Sequence, residues 1–403
     1  MAPRTLVDIF RNLANYQKPD LLLYKKDGAW IPVSTRDFTE RVQAIAAALE
    51  GLGVKAGDRV ALLSENRPEW AITDFACQCY GAILVPIFPT MVSEQAEYLL
   101  RDSGSVVAFC STKIQVQKVL DARRTCPALK QVVLFDEAAV PGVRAFGDVL
   151  ADGRKAHAAD PAAFDRRADA RKPDDLATLI YTSGTTGEPK GAMLMQSNFV
   201  SNVLTCAELL PLPPTTVALS FLPLSHVLER MAEYIYFHYG ATIAYAESID
   251  KLKDNLSEVN PHMFAAVPRV YEKVYARVMD NVSKAPAARQ KLFHKALAVG
   301  KRVLALRAQK KTPDLILAVQ HFVFDHLVFS KIRAALGSRF RYSISGGAPL
   351  SKELAEFFWA AGVEVYEGYG LTETSPVIAV NYPGSWRIGT VGRIIPGVEC
   401  KIA

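Results

Sequence analysis

The sequence has few cysteines, no long apolar run and no sign of a signal peptide. Its six cysteines include no CxxC pair and no histidine at metal-ligand spacing, so neither a disulfide framework nor a zinc site is indicated. No stretch reaches the roughly 20 uninterrupted apolar residues of a membrane span. The N-terminal MAPRTLVDIF lacks a positively charged region followed by an apolar one. These absences predict a globular cytosolic protein with reduced cysteines.

Short apolar runs rich in β-branched residues recur along the chain and alternate with helical patterns. Because half of the 403 residues are hydrophobic, the chain can bury a large core and divide into at least two lobes. Strands alternating with helices favour mostly parallel sheets covered on both faces. The predicted strands are RVALLS (59–64), ILVPIF (83–88), VVAFC (106–110), QVVLF (131–135), LATLIYT (176–182), TVALSFL (216–222), HMFAAVP (262–268), FRYSIS (340–345) and VEVYEG (363–368).

The stretch from Leu150 to Asp175 is rich in Ala, Asp and Arg and poor in large apolar residues. This composition predicts a surface linker between two lobes. We therefore expect an α/β fold with an N-terminal lobe over residues 1–175 and a second lobe over residues 176–376. The second lobe should carry a basic helical insertion near residues 280–335.

No acidic residue occurs between Asn281 and Pro313, whereas this segment contains nine cations. These nine exceed the net charge of +6 of the whole chain, so the basicity is concentrated here. The cations are Lys284, Arg289, Lys291, Lys295, Lys301, Arg302, Arg307, Lys310 and Lys311. Apolar residues lie among them at partly helical spacing, which is typical of a solvated surface helix or of a basic amphipathic helix on an anionic membrane.

A loop of small and polar residues, YTSGTTGEPKG (181–191), follows the predicted strand LATLI. The spacing of its glycines fits neither a Walker A loop nor the dinucleotide GxGxxG pattern. Glycine has no Cβ to hold a ligand away, so the backbone N–H and hydroxyl groups of such a loop can surround an anion. The loop is either a phosphate cradle or a flexible surface turn.

Four further motifs follow this loop: FLPLSHVLERMAE (221–233), VPRVYEKVY (267–275), SGGAPL (345–350) and YEGYGLTETSP (366–376). Together with YTSGTTGEPKG, they resemble in order the motifs of the adenylate-forming superfamily of acyl-CoA synthetases, luciferases and adenylation domains. The histidine segment, VPRVYEKVY and the basic insertion most resemble long-chain fatty acid:CoA ligases. The resemblance covers nearly all of the chain and implies two α/β lobes with mostly parallel sheets.

The resemblance implies ATP, Mg²⁺ and CoA as cofactors or co-substrates. It implies catalytic roles for His226, Thr182, Lys190 and Glu373, with the metal on Thr182 and Glu373. The implied nucleotide- and acyl-binding residues are Thr182, Ser183, Gly184, Thr185, Thr186, Gly187, Lys190, Val227, Arg230, Gly346, Gly347, Ala348, Glu367, Gly368, Tyr369, Gly370 and Thr372.

The residue types suit these roles. Tyr369 can stack on a purine, Thr372 can donate its hydroxyl to a phosphate oxygen, and Glu373 offers a hard oxygen ligand to Mg²⁺. The alternative is a core tyrosine before a helix start with a stabilising acidic residue in its first turn.

His226 is either a satisfied histidine behind an apolar strand or part of a site where a carboxylate docks. The resemblance assigns it to the acyl site, with Val227 and Arg230 nearby. Some synthetases carry an aromatic gate at the position matching Arg230, so this sequence departs from that arrangement.

The implied reaction is activation of a long-chain fatty acid by ATP to an acyl-adenylate, followed by transfer of the acyl group to CoA. The ending RIIPGVECKIA resembles a strand of a β-barrel-like subdomain, so residues 377–403 are expected to begin a truncated barrel. A truncated large domain, or a natural short form, should bind ATP and fatty acid yet form acyl-CoA slowly. The alternatives are a non-catalytic nucleotide- or acyl-binding module and a synthetase for another carboxylic acid. No nucleic-acid partner is indicated, and the oligomeric state stays open.

Overall fold

The computed structural model describes residues 2–182 and 187–402. The strands are β1 Leu22–Lys26, β2 Ala29–Val33, β3 Arg59–Leu63, β4 Ile83–Ile87, β5 Val107–Cys110, β6 Gln131–Leu134, β7 Arg144–Ala145, β8 Leu176–Thr182, β9 Lys190–Met195, β10 Val217–Ser220, β11 Thr242–Tyr245, β12 Met263–Ala266, β13 Tyr342–Ser345, β14 Glu364–Gly370, β15 Val377–Val380 and β16 Arg393–Ile394.

The helices are α1 Leu6–Asn12, α2 Thr35–Gly51, α3 Pro68–Tyr80, α4 Ser93–Ser103, α5 Lys113–Ala122, α6 Phe146–Ala159, α7 Ala162–Asp169, α8 Gln196–Leu209, α9 Val227–His238, α10 Leu252–Val259, α11 Pro268–Ser283, α12 Ala287–Ala308, α13 Leu315–Phe324, α14 Ser330–Ala334 and α15 Lys352–Ala360. Short 3₁₀ turns occupy Leu13–Asn15, Arg123–Thr125 and Thr372–Thr374. Asp325–Phe329 is π-helical.

The chain folds into two compact units, each built from several segments. The first unit comprises Met1–Leu204, Leu222–Tyr245 and Thr372–Pro376, and the second comprises Thr205–Phe221, Ala246–Leu371 and Val377–Ala403. The expected division at residues 175 and 376 follows the order of the sequence. Each compact unit is discontinuous in sequence, because α9, β11 and the Thr372–Pro376 turn belong to the first unit.

The first unit is centred on a seven-stranded sheet in the order β7-β6-β5-β3-β4-β8-β9. All neighbours in this sheet are parallel except β8 and β9, which form an antiparallel pair. In β4 and β5 every residue is buried, as expected for parallel strands covered on both faces. The carboxyl ends of β3, β4 and β8 therefore lie at one edge of the sheet.

The second unit contains the parallel strands β10, β12, β13 and β14 in that order. The antiparallel strands β15 and β16 continue from β14. These last strands are short and form no closed barrel within the described residues. The helices α11, α12 and α15 pack together in this unit, with Gly300 of α12 close to the backbone of Ala360.

The nine predicted strands are confirmed as β3, β4, β5, β6, β8, β10, β12, β13 and β14. Ser34 caps α2, because its hydroxyl accepts a hydrogen bond from the backbone N–H of Asp37. The predicted linker over residues 150–175 is wrong, since α6 and α7 lie there. Small residues allow this close packing: a Cβ on Gly153 of α6 would lie 2.0 Å from the carbonyl oxygen of Ala44 in α2.

A buried ion pair fixes α9 in the core of the first unit. The guanidinium of Arg230 on α9 donates to both carboxylate oxygens of Asp74 on α3, at 2.6 and 3.0 Å. It also donates to the hydroxyl of Thr178 on β8 at 2.8 Å. Burial alone would lower the pKa of Arg230, but Asp74 and Tyr234 raise it above its ordinary value. Arg230 therefore stays charged and joins a helix to the sheet.

We expect Asp74→Asn to destabilise the first unit strongly, because the substitution leaves the buried charge of Arg230 without its counter-ion. Breaking a buried pair in this way costs about 3–5 kcal/mol. Urea unfolding of the variant measures the loss. The matched control is Asp280→Asn, which breaks the exposed pair with Lys284 and should change stability little. An unchanged urea midpoint for Asp74→Asn would show that the pair is not structural.

Candidate active site

The predicted phosphate loop is held by an antiparallel hairpin at the edge of the first unit's sheet. Thr182 ends β8 and lies opposite Lys190, which begins β9. Residues directly opposite in an antiparallel pair point to the same face of the sheet, so this hydroxyl and this ammonium flank the loop together. Lys190 is exposed, and Gly187 has a φ of +122°, which a side chain would disfavour. Ser183, Gly184, Thr185 and Thr186 lie outside the described residues, so their roles stay predictions.

Tyr181 anchors the base of this hairpin. Its hydroxyl donates to the carboxylate of Asp102 on α4 at 2.6 Å. A Cβ on Gly191 would lie 3.3 Å from the ring of Tyr181, so the small residue admits the ring against β9. Burial, and then the Asp102 carboxylate, raise the pKa of Tyr181. Tyr181 therefore remains a neutral donor that fixes the end of β8.

Glu373 lies beside Thr182 within the first unit. The Thr182 hydroxyl donates to Oε1 of Glu373 at 3.4 Å, and the glutamate side chain is exposed. Across the described residues, no group of three or more His, Cys, Asp and Glu side chains is arranged to hold a metal. Mg²⁺ commonly uses one or two carboxylates together with waters and substrate phosphates. A lone exposed carboxylate next to a hydroxyl fits that mode.

His226 is positioned by a loop at the same edge of the sheet. The side-chain amide of Asn66, which follows β3, donates to the carbonyl of Leu222 at 2.7 Å and accepts from the N–H of Leu224 at 3.0 Å. Ser225 donates to the carbonyl of Ile87, the last residue of β4, at 3.2 Å. Because β4 and β8 are parallel neighbours, the His226 loop, which is tied to the end of β4, lies at the same edge of the sheet as Thr182, which ends β8.

The imidazole of His226 has a defined tautomer. His226 is the N-cap of α9, and its Nδ1 accepts a hydrogen bond from the backbone N–H of Leu228 at 3.2 Å. An Nδ1 that accepts carries no proton, so the neutral ring keeps its proton on Nε2. Desolvation lowers the pKa of His226 further below neutrality. At neutral pH, Nε2 is therefore a hydrogen-bond donor suited to a carboxylate.

Val227 and Arg230 lie on α9 behind His226, and both are buried. The guanidinium of Arg230 donates hydrogen bonds to Asp74, Thr178 and Tyr234. This arrangement favours a structural role for Arg230 over direct contact with an acyl group. Its assignment to the acyl site stays a prediction without support from these contacts.

The second unit carries the other predicted loops at the carboxyl ends of its parallel strands. Ala266 of β12 aligns with Ser345 of β13, and Ser345 aligns with Glu367 of β14. The loop of Gly346, Gly347 and Ala348 therefore begins where β13 ends. The stretch from Gly368 to Gly370, expected as a loop, is instead the end of β14 and pairs with β15. Ligands of α/β sheets bind outside the carboxyl ends of strands.

Local contacts give the residues of this edge different roles. Gly347 has a φ of +80°, and a Cβ there would lie 3.5 Å from Val267. The buried carboxylate of Glu367 accepts from the N–H of Leu350 at 3.2 Å, so it fixes the SGGAPL loop. Burial raises the pKa of Glu367. The ring of Tyr369 is about half exposed and offers a flat apolar surface.

Sequence reasoning missed the residues that position the predicted ones. Asp74, Asp102 and Asn66 hold Arg230, Tyr181 and the His226 loop, respectively. Asp74 and Asp102 lie in helices, where an isolated acidic residue looks like part of a solvated face. Asn66 follows shortly after the predicted strand RVALLS. A polar amide at the carboxyl end of a buried strand is a sequence signal for a residue near the site.

A profile of AMP-binding enzymes matches residues 11–403. The chain is 40% identical over 390 residues to the long-chain-fatty-acid–CoA ligase FadD15 of Mycobacterium bovis. The matched region covers 96% of this chain and 63% of that protein. It is 31% identical to the peroxisomal long chain acyl-CoA synthetase 6 of Arabidopsis thaliana, over 89% of this chain and 50% of that protein. The chain thus spans between half and two thirds of the length of these relatives.

Two solved structures share the fold at low identity. The anthranilate CoA ligase AuaEII in complex with anthranoyl-AMP gives a TM-score of 0.71 at 20% identity, over 98% of this chain and 65% of that one. The N-terminal domain of FACL13 from Mycobacterium tuberculosis gives a TM-score of 0.69 at 20% identity, over 97% of this chain and 83% of that one. With the profile match over nearly its whole length, the chain belongs to the AMP-binding enzyme family.

Proposed function

We propose that the protein containing this chain is an AMP-forming long-chain fatty acid:CoA ligase. The observation that carries the proposal is that Thr182 lies opposite Lys190 across the β8–β9 pair and beside Glu373 in the first unit. A hydroxyl, an ammonium and a carboxylate together suit a triphosphate with a divalent cation. The names of the relatives support a long-chain acid as the second substrate.

In the first half-reaction, an oxygen of the fatty acid carboxylate attacks the α-phosphorus of ATP and pyrophosphate leaves. The ammonium of Lys190 and the hydroxyl of Thr182 offset negative charge on the phosphate oxygens, which is greatest in the transition state. Nε2–H of His226 orients the carboxylate by a hydrogen bond. Mg²⁺, held by Glu373 and the phosphates, would neutralise further charge. In the second half-reaction, the thiol sulfur of CoA attacks the acyl carbon and AMP leaves.

In the second unit, we assign the exposed ring of Tyr369 to stacking on a purine. In the SGGAPL loop, the N–H of Gly346 already donates to the carbonyl of Ala266 at 3.1 Å, so we assign ligand contact in this loop to the backbone of Gly347. In the first unit, we assign the hydroxyl of Thr372, next to Glu373, to a phosphate oxygen.

Part of the proposal concerns the basic segment of residues 284–311. Lys284, Lys301 and Arg307 are paired with Asp280, Glu356 and Glu364. Lys291, Lys295 and Arg302 are exposed and have no ion pair within the described residues. Unpaired cations near an anionic bilayer are attracted to it. We therefore propose that this segment binds the surface of an anionic membrane.

Lys190→Met is expected to weaken ATP binding about tenfold and to slow pyrophosphate release by about 10² to 10³, because one cation at the reacting phosphates is lost. Isothermal titration calorimetry and a pyrophosphate assay measure the two effects. The control is Lys253→Met, an exposed lysine on α10. Equal ATP affinity in Lys190→Met and the parent chain would show that the β8–β9 hairpin does not contribute to the nucleotide site.

The acyl class is tested with three non-hydrolysable adenylate analogues that carry palmitoyl, benzoyl or aminoacyl groups. The palmitoyl analogue should bind most tightly, because burial of its chain adds about 0.8 kcal/mol per methylene. Calorimetry gives the three affinities. Tighter binding of the benzoyl or aminoacyl analogue would indicate another carboxylic acid. Equal binding of all three and AMP would indicate a module that recognises nucleotide alone.

The charge variant Lys291→Gln, Lys295→Gln, Arg302→Gln should weaken binding to phosphatidylglycerol vesicles, measured by co-sedimentation, by about a hundredfold at low salt, since each of the three cations contributes about 1 kcal/mol. The effect should shrink at high salt. The matched control, Lys55→Gln, Lys251→Gln, Lys253→Gln, removes three exposed cations elsewhere. If both triple variants bind vesicles as the parent chain does, the segment is only a solvated surface helix.

A further inference from the structure

The helix α13 exposes an apolar face. Leu315, Ile316 and Phe322 are 80%, 73% and 64% exposed, and Val319 and Val323 are also exposed. At 3.6 residues per turn these five side chains lie on one side of the helix. The opposite side carries the buried Leu317, which packs with α12. The helix is therefore attached by one face and leaves the other, made of large apolar side chains, uncovered.

This apolar face carries no charged side chain along its length. From Leu315 to Phe324 the helix has no Asp, Glu, Lys or Arg. Asp314 accepts the backbone N–H of Leu317 at 2.8 Å as the N-cap. Asp325, at the other end, accepts two hydrogen bonds from Arg333 at 2.6 and 2.7 Å. The face is therefore suited to an apolar phase.

Unpaired cations lie on the elements next to α13. Lys291, Lys295 and Arg302 fall within a narrow arc of α12 at 3.6 residues per turn. That arc borders Val299 and Val303, which pack against Leu317 of α13. Lys310 and Lys311, in the connection between the two helices, are exposed as well. These five cations, the cation stripe, therefore lie beside the contact between α12 and α13 and in the connection that precedes α13.

Apolar surface with cations on the neighbouring elements complements an anionic bilayer, which offers hydrocarbon beneath a layer of phosphates. A second copy of the chain fits less well. In a symmetric dimer the same surface meets itself, so the cation stripes of the two copies would approach each other. The charge pattern therefore favours lipid over self-association.

The length of the helix decides how it can meet the bilayer. Within the described residues, the helical stretch Leu315–Ala334 is long and apolar enough, by length and composition alone, to span a membrane. However, the ten residues of α13 extend only about 15 Å, half of a hydrocarbon core. The following residues are held in the second unit, where Phe329 and Ile332 are buried and Arg333 pairs with Asp325. The helix can lie in the interface but cannot cross it.

We propose that α13 inserts its apolar face into the headgroup boundary of an anionic bilayer, while the cation stripe contacts lipid phosphates. This inference rests on the membrane attachment proposed above and adds insertion to it. Insertion would keep the enzyme at the phase in which long-chain fatty acids are dissolved.

The test places an environment-sensitive fluorophore at position 322. Cys400 is the exposed cysteine among six, and the other five are buried, so Cys400→Ser with Phe322→Cys gives one accessible thiol. With phosphatidylglycerol vesicles, the probe emission should shift to the blue and be quenched by doxyl-labelled acyl chains. The control is Cys400→Ser with Ile114→Cys, a site that is 71% exposed in the first unit. Its probe should not respond.

A second variant tests the same face by binding. Leu315→Ser, Ile316→Ser, Phe322→Ser should lower vesicle binding at high salt about tenfold or more, because apolar burial is lost while the charges remain. Ile114→Ser with Met193→Ser is the control for loss of exposed apolar side chains. Circular dichroism should show unchanged helix content in both variants.

Two results would overturn the inference. One is an unresponsive probe at position 322 on vesicles that bind the protein in a salt-dependent manner. That result would leave electrostatic attachment and ATP binding standing. The other is a parent chain that is dimeric in sedimentation velocity and becomes monomeric in the Leu315, Ile316, Phe322 variant without a change in vesicle binding. That result would assign the face to a second copy.

Discussion

The alignment of parallel strands is the constraint on which the rest of this structure depends. Backbone hydrogen bonds between β4 and β8 bring the carboxyl ends of both strands to one edge. The loop that carries His226 is tied to that edge through Ile87, and Thr182 ends β8 there. In the second unit, the register of Ala266, Ser345 and Glu367 does the same for the glycine loops. Residues far apart in sequence become neighbours without any direct bond between them.

Burial separates the roles of the charged groups. Arg230 is fully buried, and a buried cation is tolerated only with a partner, which Asp74 supplies. The charge of Arg230 is therefore neutralised within the core and is not available to a ligand. Lys190 is exposed beside Thr182, and its charge is available to a ligand. A positive residue next to a motif is therefore a candidate for catalysis only if the fold leaves it accessible.

The sequence predicts the strands well because parallel strands buried on both faces read as continuous apolar runs, as in ILVPI of β4. It also predicts the loop that follows β13, since paired glycines directly after a strand are distinctive. It fails for α6 and α7, whose few buried residues, such as Phe146 and Phe164, give a weak pattern among Ala, Asp and Arg.

The rest of the site could not be predicted because it depends on pairings between distant elements. Asp74 and Arg230 are 156 residues apart, and neither position shows its burial in the sequence. The short edge strand β16 carries only two exposed residues, so it has no apolar run to detect. Likewise, the predicted helical insertion near residues 280–335 does not show which side of α13 is packed.

A crystal structure of this chain with a palmitoyl-adenylate analogue would test these assignments. We expect the α-phosphate to lie within hydrogen-bond distance of Thr182 Oγ1, with Lys190 near the phosphate and His226 Nε2 near the acyl carbonyl. A ligand bound elsewhere, with the Thr182 and Lys190 hairpin free of phosphate, would contradict the assignment of this edge as the active site.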